Sequence, residues 1–253
     1  MRCIPDASTV FHAQRGGCST VDWQEAVADA LPRNPPVNYV NVGANKGYRV
    51  PEFLALWSQE RVVDYAQGWR QELLRYAQLH KKGHLKFASC GNCNDCKASP
   101  PASHNRSGAR MHLLELAPAN RALLAHMLSV QKLTDRVSLH PFGASNVTSQ
   151  LTVFKGLMAG DERGHALTGA KAAKYKTYGA AEQVDAVALD DFFARQRLRS
   201  IYHVAIDTEG WDALVIEGMR TALKEKVREY HDDSCAACKP LPRYALLRLQ
   251  TSA

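Results

Sequence analysis

A glycine-rich turn in the first third of the sequence has residue types that suit ligand binding. The apolar segment 37–42 predicts a buried strand, and the turn Asn-Val-Gly-Ala-Asn-Lys-Gly occupies residues 41–47. Gly43 and Gly47 lack a Cβ and can take positive φ, which lets a ligand approach the backbone. A strand, a glycine-rich turn and a helix together present backbone N–H groups to nucleotide-like ligands. The turn therefore predicts a ligand site at the carboxyl end of the first strand.

An acid closes a second apolar strand. Glu115 directly follows the apolar segment 111–114. The carboxyl ends of parallel strands meet at one edge of a sheet, where ligands of open α/β proteins bind. A carboxylate there can accept hydrogen bonds from both hydroxyls of a ribose. Glu115 is therefore a candidate ribose-binding residue.

Two further acids follow the apolar segment 203–206. Asp207 and Glu209 fall on one side if the strand continues that far, and they can orient an acceptor hydroxyl or take its proton. The alternative is that Asp207 or Thr208 caps a helix starting near Trp211. Three histidines are further candidates for a base because of their positions near strand ends. These are His140, His165 and His203.

The remaining elements alternate between strands and helices. Helices are predicted at residues 51–57, 61–80 and 211–226, and a further helix carries Leu123, Leu124, Met127 and Leu128 on one face. Residues 137–144 predict a strand and a turn, and residues 187–193 predict a strand that runs into a helix. This alternation predicts an α/β fold with a doubly wound, mostly parallel sheet.

The order of these motifs resembles that of the FkbM-type methyltransferase family. That family has an Asp-Val-Gly-Ala-Asn-x-Gly turn, which residues 41–47 match except that Asn41 replaces the Asp. Of the family's Glu-Pro-x-Pro segment, residues 115–118 keep the acid and the last proline. The family's Leu-Asp-Asp and Ile-Asp-x-Glu-Gly segments match residues 189–191 and 206–210.

The resemblance implies a Rossmann-like fold and S-adenosylmethionine as the cofactor. It implies transfer of a methyl group to an oxygen, a hydroxyl of a sugar or small metabolite. The expected catalytic residues are Asp207 and Glu209. The expected cofactor-binding residues are Asn41, Gly43, Asn45, Gly47, Glu115, Gly143 and Asp207.

Departures from the family pattern leave a second interpretation open. Asn41 lacks the charge that would pair with the ammonium group of the cofactor, and Leu116 replaces a proline. In this alternative the chain is a catalytically degenerate binding module of the methyltransferase fold, with a zinc-stabilised interaction loop.

The seven cysteines include a Cys-x-x-Cys-x-x-Cys group and a later Cys-x-x-Cys pair. An odd number does not complete a disulfide framework, and such close spacing favours metal or redox chemistry. An iron–sulfur cluster, disulfides or free thiols are the alternatives to a structural zinc. The predicted zinc ligands are Cys90, Cys93, Cys96 and Cys238, and Cys235 and His104 are alternatives for the fourth position.

The length of 253 residues accommodates one sizeable α/β domain. We predict a lead-in at residues 1–37 and a methyltransferase domain at residues 38–253, with a cysteine-bearing insertion at residues 58–110. Residues 241–249 form the only apolar stretch after the last helix, so a shortened C-terminal sheet edge is expected.

The formal net charge of +7 is spread along the chain without a basic tail or a nucleic-acid motif. A nucleic-acid partner is therefore not expected, and the expected partner is a small molecule or glycan with a hydroxyl acceptor. No segment predicts a signal peptide or a membrane span, which favours a cytoplasmic location.

Overall fold

The computed structural model describes the chain in eight ranges. These are residues 37–57, 65–79, 108–156, 165–166, 178–198, 201–208, 210–228 and 247–249. All of the predicted lead-in except residue 37, and all of the predicted zinc ligands, lie outside these ranges. In chain order the elements are β1 (Asn38–Val42), α1 (Arg49–Trp57), α2 (Tyr65–Leu79), β2 (Arg110–Leu114), α3 (Pro118–Val130), β3 (Val137–His140), β4 (Gly143–Ser145), β5 (Ser149–Gly156), β6 (His165–Ala166), β7 (Tyr178–Ala188), α4 (Leu189–Arg195), β8 (Ile201–Ile206), α5 (Asp212–Glu217), α6 (Arg220–Arg228) and β9 (Leu247–Leu249).

A parallel sheet of five strands lies at the centre of the described part. The strand order is β3-β2-β1-β8-β9, and each neighbouring pair is parallel. The order reverses between β1 and β8, so the carboxyl ends of these strands flank a topological switch point, where ligands of open α/β sheets bind. The late apolar stretch supplies β9, which extends the sheet beyond β8.

Helices pack on both faces of this sheet because the strand residues alternate between two apolar cores. On one face, α1, α2 and α3 cover strand residues such as Tyr39, Met111 and Leu113. On the other face, α4 and α5 cover residues such as Val40 and Leu114. The prediction of a mixed α/β fold with a mostly parallel central sheet is confirmed, and the arrangement is compatible with a Rossmann-like fold.

The strands between β3 and α4 in the chain form a second sheet. Its order is β4-β7-β5-β6, in which β4 and β7 are parallel and β5 is antiparallel to both of its neighbours. The strand β7 ends at Ala188 and α4 begins at the next residue. The predicted passage from strand to helix at this point is confirmed.

The helix predicted over residues 61–80 is present where the chain is described, as α2. Trp69, Leu73 and Tyr76 on this helix are buried in the same core as α1 and α3. Although α2 falls within the range 58–110 that was predicted as an insertion, it therefore contributes directly to the core.

The helix predicted over residues 211–226 is instead two helices, α5 and α6. A Cβ at Gly218 would lie 2.0 Å from the carbonyl oxygen of Ser145, so the chain passes closely over β4 there. The Asp190 carboxylate accepts hydrogen bonds from the N–H groups of Thr221 and Ala222, at 2.8 and 2.9 Å. A new helix therefore begins after Gly218, because Asp190 satisfies N–H groups of its first turn.

The turn after β1 touches the chain after β8. Gly43 has φ +78°, and a Cβ built on it would lie only 2.0 Å from the carbonyl oxygen of Asp207. A side chain at this position is excluded both by the backbone conformation and by the neighbouring carbonyl group.

We predict that Gly43→Ala lowers the free energy of unfolding by more than about 2 kcal/mol, because the substitution adds strain at positive φ to a backbone clash. The matched control is Gly68→Ala in α2, where an added Cβ would have no atom within 4 Å apart from its chain neighbours and the backbone of its own helix. The control should raise stability by about 0.5–1 kcal/mol, since alanine is the better helix former. Urea unfolding measures both changes, and a Gly43→Ala protein as stable as the parent would contradict the close approach.

Candidate functional site

Three adjacent strand ends bring most of the predicted site residues together. The N–H of Gly43 donates to the carbonyl of Leu114 at 3.0 Å, and the N–H of Asp207 donates to the carbonyl of Val42 at 3.1 Å. The ends of β2, β1 and β8 are thus joined directly by backbone hydrogen bonds. Parallel pairing predicts this convergence, because strands that run in one direction end at one edge.

Glu115 lies at the centre of this edge and is buried. Its Oε2 accepts a hydrogen bond from the N–H of Asn45 at 2.7 Å, and its Oε1 accepts one from the N–H of Ala117 at 2.8 Å. Burial raises the pKa of Glu115, against the opposing effects of these backbone bonds, the Asn120 side chain and the Arg121 charge. The carboxylate therefore connects the glycine turn to the start of α3.

Asn45 has an unusual conformation in the middle of the turn. It has φ +47°, in the left-handed region that few residues other than glycine adopt. Its Oδ1 is buried, and nothing in the described ranges donates a hydrogen bond to it. A buried acceptor without a donor is unfavourable, which makes Oδ1 available for a donor group of a ligand.

The helices behind the turn support its far end. A Cβ at Gly47 would lie 2.6 Å from Cδ2 of Leu124 and 2.8 Å from Cζ2 of Trp69. The indole N–H of Trp69 donates to the carbonyl of Lys46 at 2.8 Å. The sequence pattern showed that α2 has an apolar side, but not that its tryptophan contacts the turn.

Asn41 and Gly143, two other predicted cofactor residues, flank this edge. Asn41 is buried within β1, opposite Leu113 and Ala205 of the neighbouring strands. Gly143 begins β4, and a Cβ on it would lie 3.2 Å from Cδ2 of Leu116. Gly143 is therefore packed beside the segment that follows Glu115.

Asp207 is exposed directly after β8, and Glu209 lies outside the described residues. Because β8 ends at Ile206, the strand alternation that was expected to align the two acids does not extend to them. The capping alternative is not observed, because the N-cap of α5 is Trp211, without a side-chain cap hydrogen bond. Thr208 instead donates to Oδ1 of Asp212 from its N–H at 2.9 Å and from its hydroxyl at 2.6 Å.

The sequence interpretation did not assign a role to Asp212 or to the two acids at the start of α4. Asp190 caps α6, as described above, and Asp191 accepts a hydrogen bond from the hydroxyl of Thr148. Acids in the first turn of a helix are a recognisable signal in sequence. The partners of Asp190 and Asp191, however, are distant along the chain and are visible only in the fold.

No metal centre appears among the residues that the structure describes. In those ranges, no three His, Cys, Asp or Glu side chains are grouped so that they could hold a metal ion. The predicted ligands Cys90, Cys93, Cys96 and Cys238 fall outside the ranges. None of the described helices is both long and apolar enough to cross a membrane.

The candidate histidines lie in different environments. His203 is buried, with its ring centroid 4.3 Å from that of Tyr39, and His165 lies in β6. His140 pairs with His112 of β2, since its Nε2 lies 3.2 Å from Nδ1 of His112. Burial, and secondarily the neighbouring His140, lower the pKa of His112 to about 4, and burial also lowers the pKa of His140.

The fold is that of an α/β protein with an open parallel sheet, a class whose ligands bind at the carboxyl ends of the strands. The family model "Methyltransferase FkbM domain" matches residues 7–234. The chain belongs to the FkbM methyltransferase family.

Comparisons beyond the family model are more distant. The crystal structure of a methyltransferase FkbM from Methylobacillus flagellatus KT is similar at 12% sequence identity, with a TM-score of 0.34. The similarity covers 79% of this chain and 37% of that chain, so this chain spans little more than a third of that protein's length. No curated protein matches the chain significantly.

The buried histidine pair leads us to predict that the folded chain is less stable in acid. Because the pKa of His112 falls from 6.5 to about 4 on folding, the unfolded chain binds a proton between these values that the folded chain does not. The contribution of neutral His112 to the free energy of unfolding is fully present above pH 6.5 and declines as the pH falls towards 4. In His112→Gln, the decrease in unfolding free energy between pH 7 and pH 4.5 should be smaller by about 2 kcal/mol. Urea titrations at both pH values measure the difference, and equal decreases would contradict the prediction.

Proposed function

We propose that this chain is an S-adenosylmethionine-dependent methyltransferase that methylates a hydroxyl oxygen of a sugar or small metabolite. The observation that carries the proposal is the buried Glu115 carboxylate, hydrogen-bonded to the backbone of the glycine turn. This geometry supports a pocket for a ligand with ribose hydroxyls at one end and N–H donors at the other. The family supports methyl transfer as the reaction.

The residues at this edge fit the cofactor in their hydrogen-bonding capacity. The carboxylate of Glu115 accepts two backbone hydrogen bonds and one from the side chain of Asn120, which leaves about one of its four lone pairs for a ribose hydroxyl. The buried Oδ1 of Asn45 suits the ammonium group of the methionine moiety. Gly43, Gly47 and Gly143 limit side-chain bulk around the same edge, and Asn41 contributes an amide without charge.

The cofactor supplies a methyl group on a sulfonium, which is already a strong methyl donor. The residues of the chain therefore need mainly to align the acceptor hydroxyl and exclude water from it. Asp207 is exposed at the carboxyl end of β8, where a carboxylate can orient that hydroxyl or take its proton. We assign the same pair of roles to Glu209.

One observation favours the alternative of a degenerate binding module. The family pattern has an aspartate at position 41, whereas Asn41 is neutral and buried in β1. The charge that would pair with the cofactor's ammonium group is therefore missing at this position. A module that has lost its enzymatic role would not need to bind the cofactor.

Calorimetry with S-adenosylmethionine and its demethylated product tests the proposal. The parent chain should bind both, and Glu115→Gln should weaken binding by about 1–3 kcal/mol, because an amide nitrogen replaces one charged acceptor oxygen. Glu72→Gln is the matched control. Glu72 is also a buried glutamate, but its Oε1 contacts Nε2 of His126 at 2.9 Å, between α2 and α3. An absence of binding by the parent would favour the binding module, and equal binding by both variants would refute the ribose role of Glu115.

We also propose a structural zinc ion, bound by Cys90, Cys93, Cys96 and Cys238. Thiolates are the ligands that zinc prefers in closed tetrahedral sites. The two-residue gaps between the first three cysteines allow neighbouring sulfurs to converge on one ion. Such an ion would stabilise the segment that connects α2 to β2.

Elemental analysis of protein purified without chelators tests the metal directly. About one equivalent of zinc is expected, and replacing Cys93 and Cys96 with serine should abolish it, since thiolates are required. A matched replacement of Cys3 and Cys18, which lie outside both Cys-x-x-Cys groups, should leave the zinc content unchanged. Absence of any transition metal, with all seven thiols titrating as free, would refute the proposal.

A further inference from the structure

Two hydrogen bonds between Thr208 and Asp212, which we call the tether, hold the loop that leads from β8 to α5. Asp212 is 8% exposed, and its Oδ1 accepts hydrogen bonds from both the backbone N–H and the hydroxyl of Thr208, at 2.9 and 2.6 Å. These bonds span four residues and fix Thr208 relative to the start of α5. Bonds to a charged acceptor are stronger than bonds between neutral groups.

In the tether, the Asp212 carboxylate bonds to a residue that precedes its own helix. An acid in a first helical turn commonly interacts with the N–H groups of its own helix. In α5, however, the N-cap Trp211 makes no side-chain cap hydrogen bond, and both described bonds of the Asp212 carboxylate lead back to Thr208. The described bonds of Asp212 therefore act on the loop that precedes α5.

Thr208 and the preceding carbonyl group border the glycine turn. A Cβ on Gly43 would lie 2.0 Å from the carbonyl oxygen of Asp207 and 3.7 Å from Cγ2 of Thr208. The N–H of Asp207 in turn donates to the carbonyl of Val42. Any displacement of Thr208 therefore alters the surface against which the turn packs.

The far end of the same loop has a second attachment. The indole N–H of Trp211 donates to the hydroxyl of Ser145 at 3.3 Å. Gly210 has φ +97°, which permits the chain to bend between these two attachments. The loop is thus attached to β1 at its start, to Asp212 in its middle and to β4 at its end.

We infer that Asp212 is a positioning residue, which holds Thr208 and the carbonyl of Asp207 against the glycine turn and so keeps the cofactor cleft in its binding geometry. The inference rests on the proposed function, because it concerns the site for S-adenosylmethionine. Asp212 itself acts only through Thr208. Pre-organisation of this kind improves affinity by reducing the ordering that binding would otherwise require.

The first measurement is the affinity for S-adenosylhomocysteine by calorimetry, with a melting temperature for each variant. Asp212→Ala should weaken binding about tenfold, the size expected from losing a hydrogen bond to a charged group. Asp212→Asn should retain most of the affinity, because the amide oxygen can still accept both donors.

The matched control is Asp190→Ala. Asp190 also accepts two described hydrogen bonds, but at the start of α6. This variant should lower the melting temperature as Asp212→Ala does, while the affinity stays at the parent value. Equal affinities in the two alanine variants would overturn the inference, and so would a loss in Asp212→Asn as large as in Asp212→Ala.

Amide hydrogen exchange of the ligand-free chain provides a second readout that is independent of binding. Faster exchange at Thr208 and Asn45 in Asp212→Ala, but not in Asp190→Ala, is expected. If the parent does not bind S-adenosylhomocysteine, the proposed function fails, and the exchange comparison still decides whether Asp212 positions the turn. Unchanged exchange at Asn45 in Asp212→Ala would overturn the inference.

Discussion

The candidate site depends on the hydrogen bonds of one buried carboxylate, that of Glu115. A carboxylate removed from water is unfavourable unless donors replace its hydration. In this fold the donors described for its oxygens include the N–H of Asn45 and the N–H of Ala117. The glycine turn after β1 and the first turn of α3 are thereby fixed at one point. These hydrogen bonds add to the backbone bonds that join the turn to the end of β2.

Close backbone approach is the second constraint, and it accounts for the residue types of the turn. The chain after β8 passes so near the turn that a side chain at Gly43 would overlap the carbonyl oxygen of Asp207. At the other end of the turn, Trp69 of α2 packs against Gly47 and donates to the Lys46 carbonyl. The turn is therefore enclosed by the chain after β8 on one side and by a helix on the other. This enclosure leaves little freedom for the backbone groups that would face a ligand.

Acids in the family motifs of this chain, and just after the last of them, have different physical roles. Asp190 satisfies the first turn of α6, Asp191 accepts from Thr148, and Asp212 accepts two bonds from Thr208. Asp207, in contrast, is exposed at the edge of the sheet. Residue type and motif membership do not distinguish a structural acid from one that can meet a substrate. The distinction comes from the donors that the fold places around each carboxylate.

Much of the architecture could be predicted from the sequence, because local patterns determine it. Apolar runs predicted β1, β2 and β8. The change of pattern at residues 187–191 predicted the boundary between β7 and α4. Parallel strands then require Glu115 and Asp207 to meet the glycine turn at one edge. The sequence also contained the motifs by which the chain resembles the FkbM family, although they do not indicate an acceptor.

Only the tertiary structure decided what depends on contacts between distant segments. A continuous helix was predicted over residues 211–226, but the close approach of Gly218 to Ser145 and the cap from Asp190 divide it into α5 and α6. The end of β8 at Ile206 removes the alternation that was expected to align two acids. Periodicity reports how one segment is buried, whereas these outcomes depend on hydrogen bonds and steric contacts with partners many residues away.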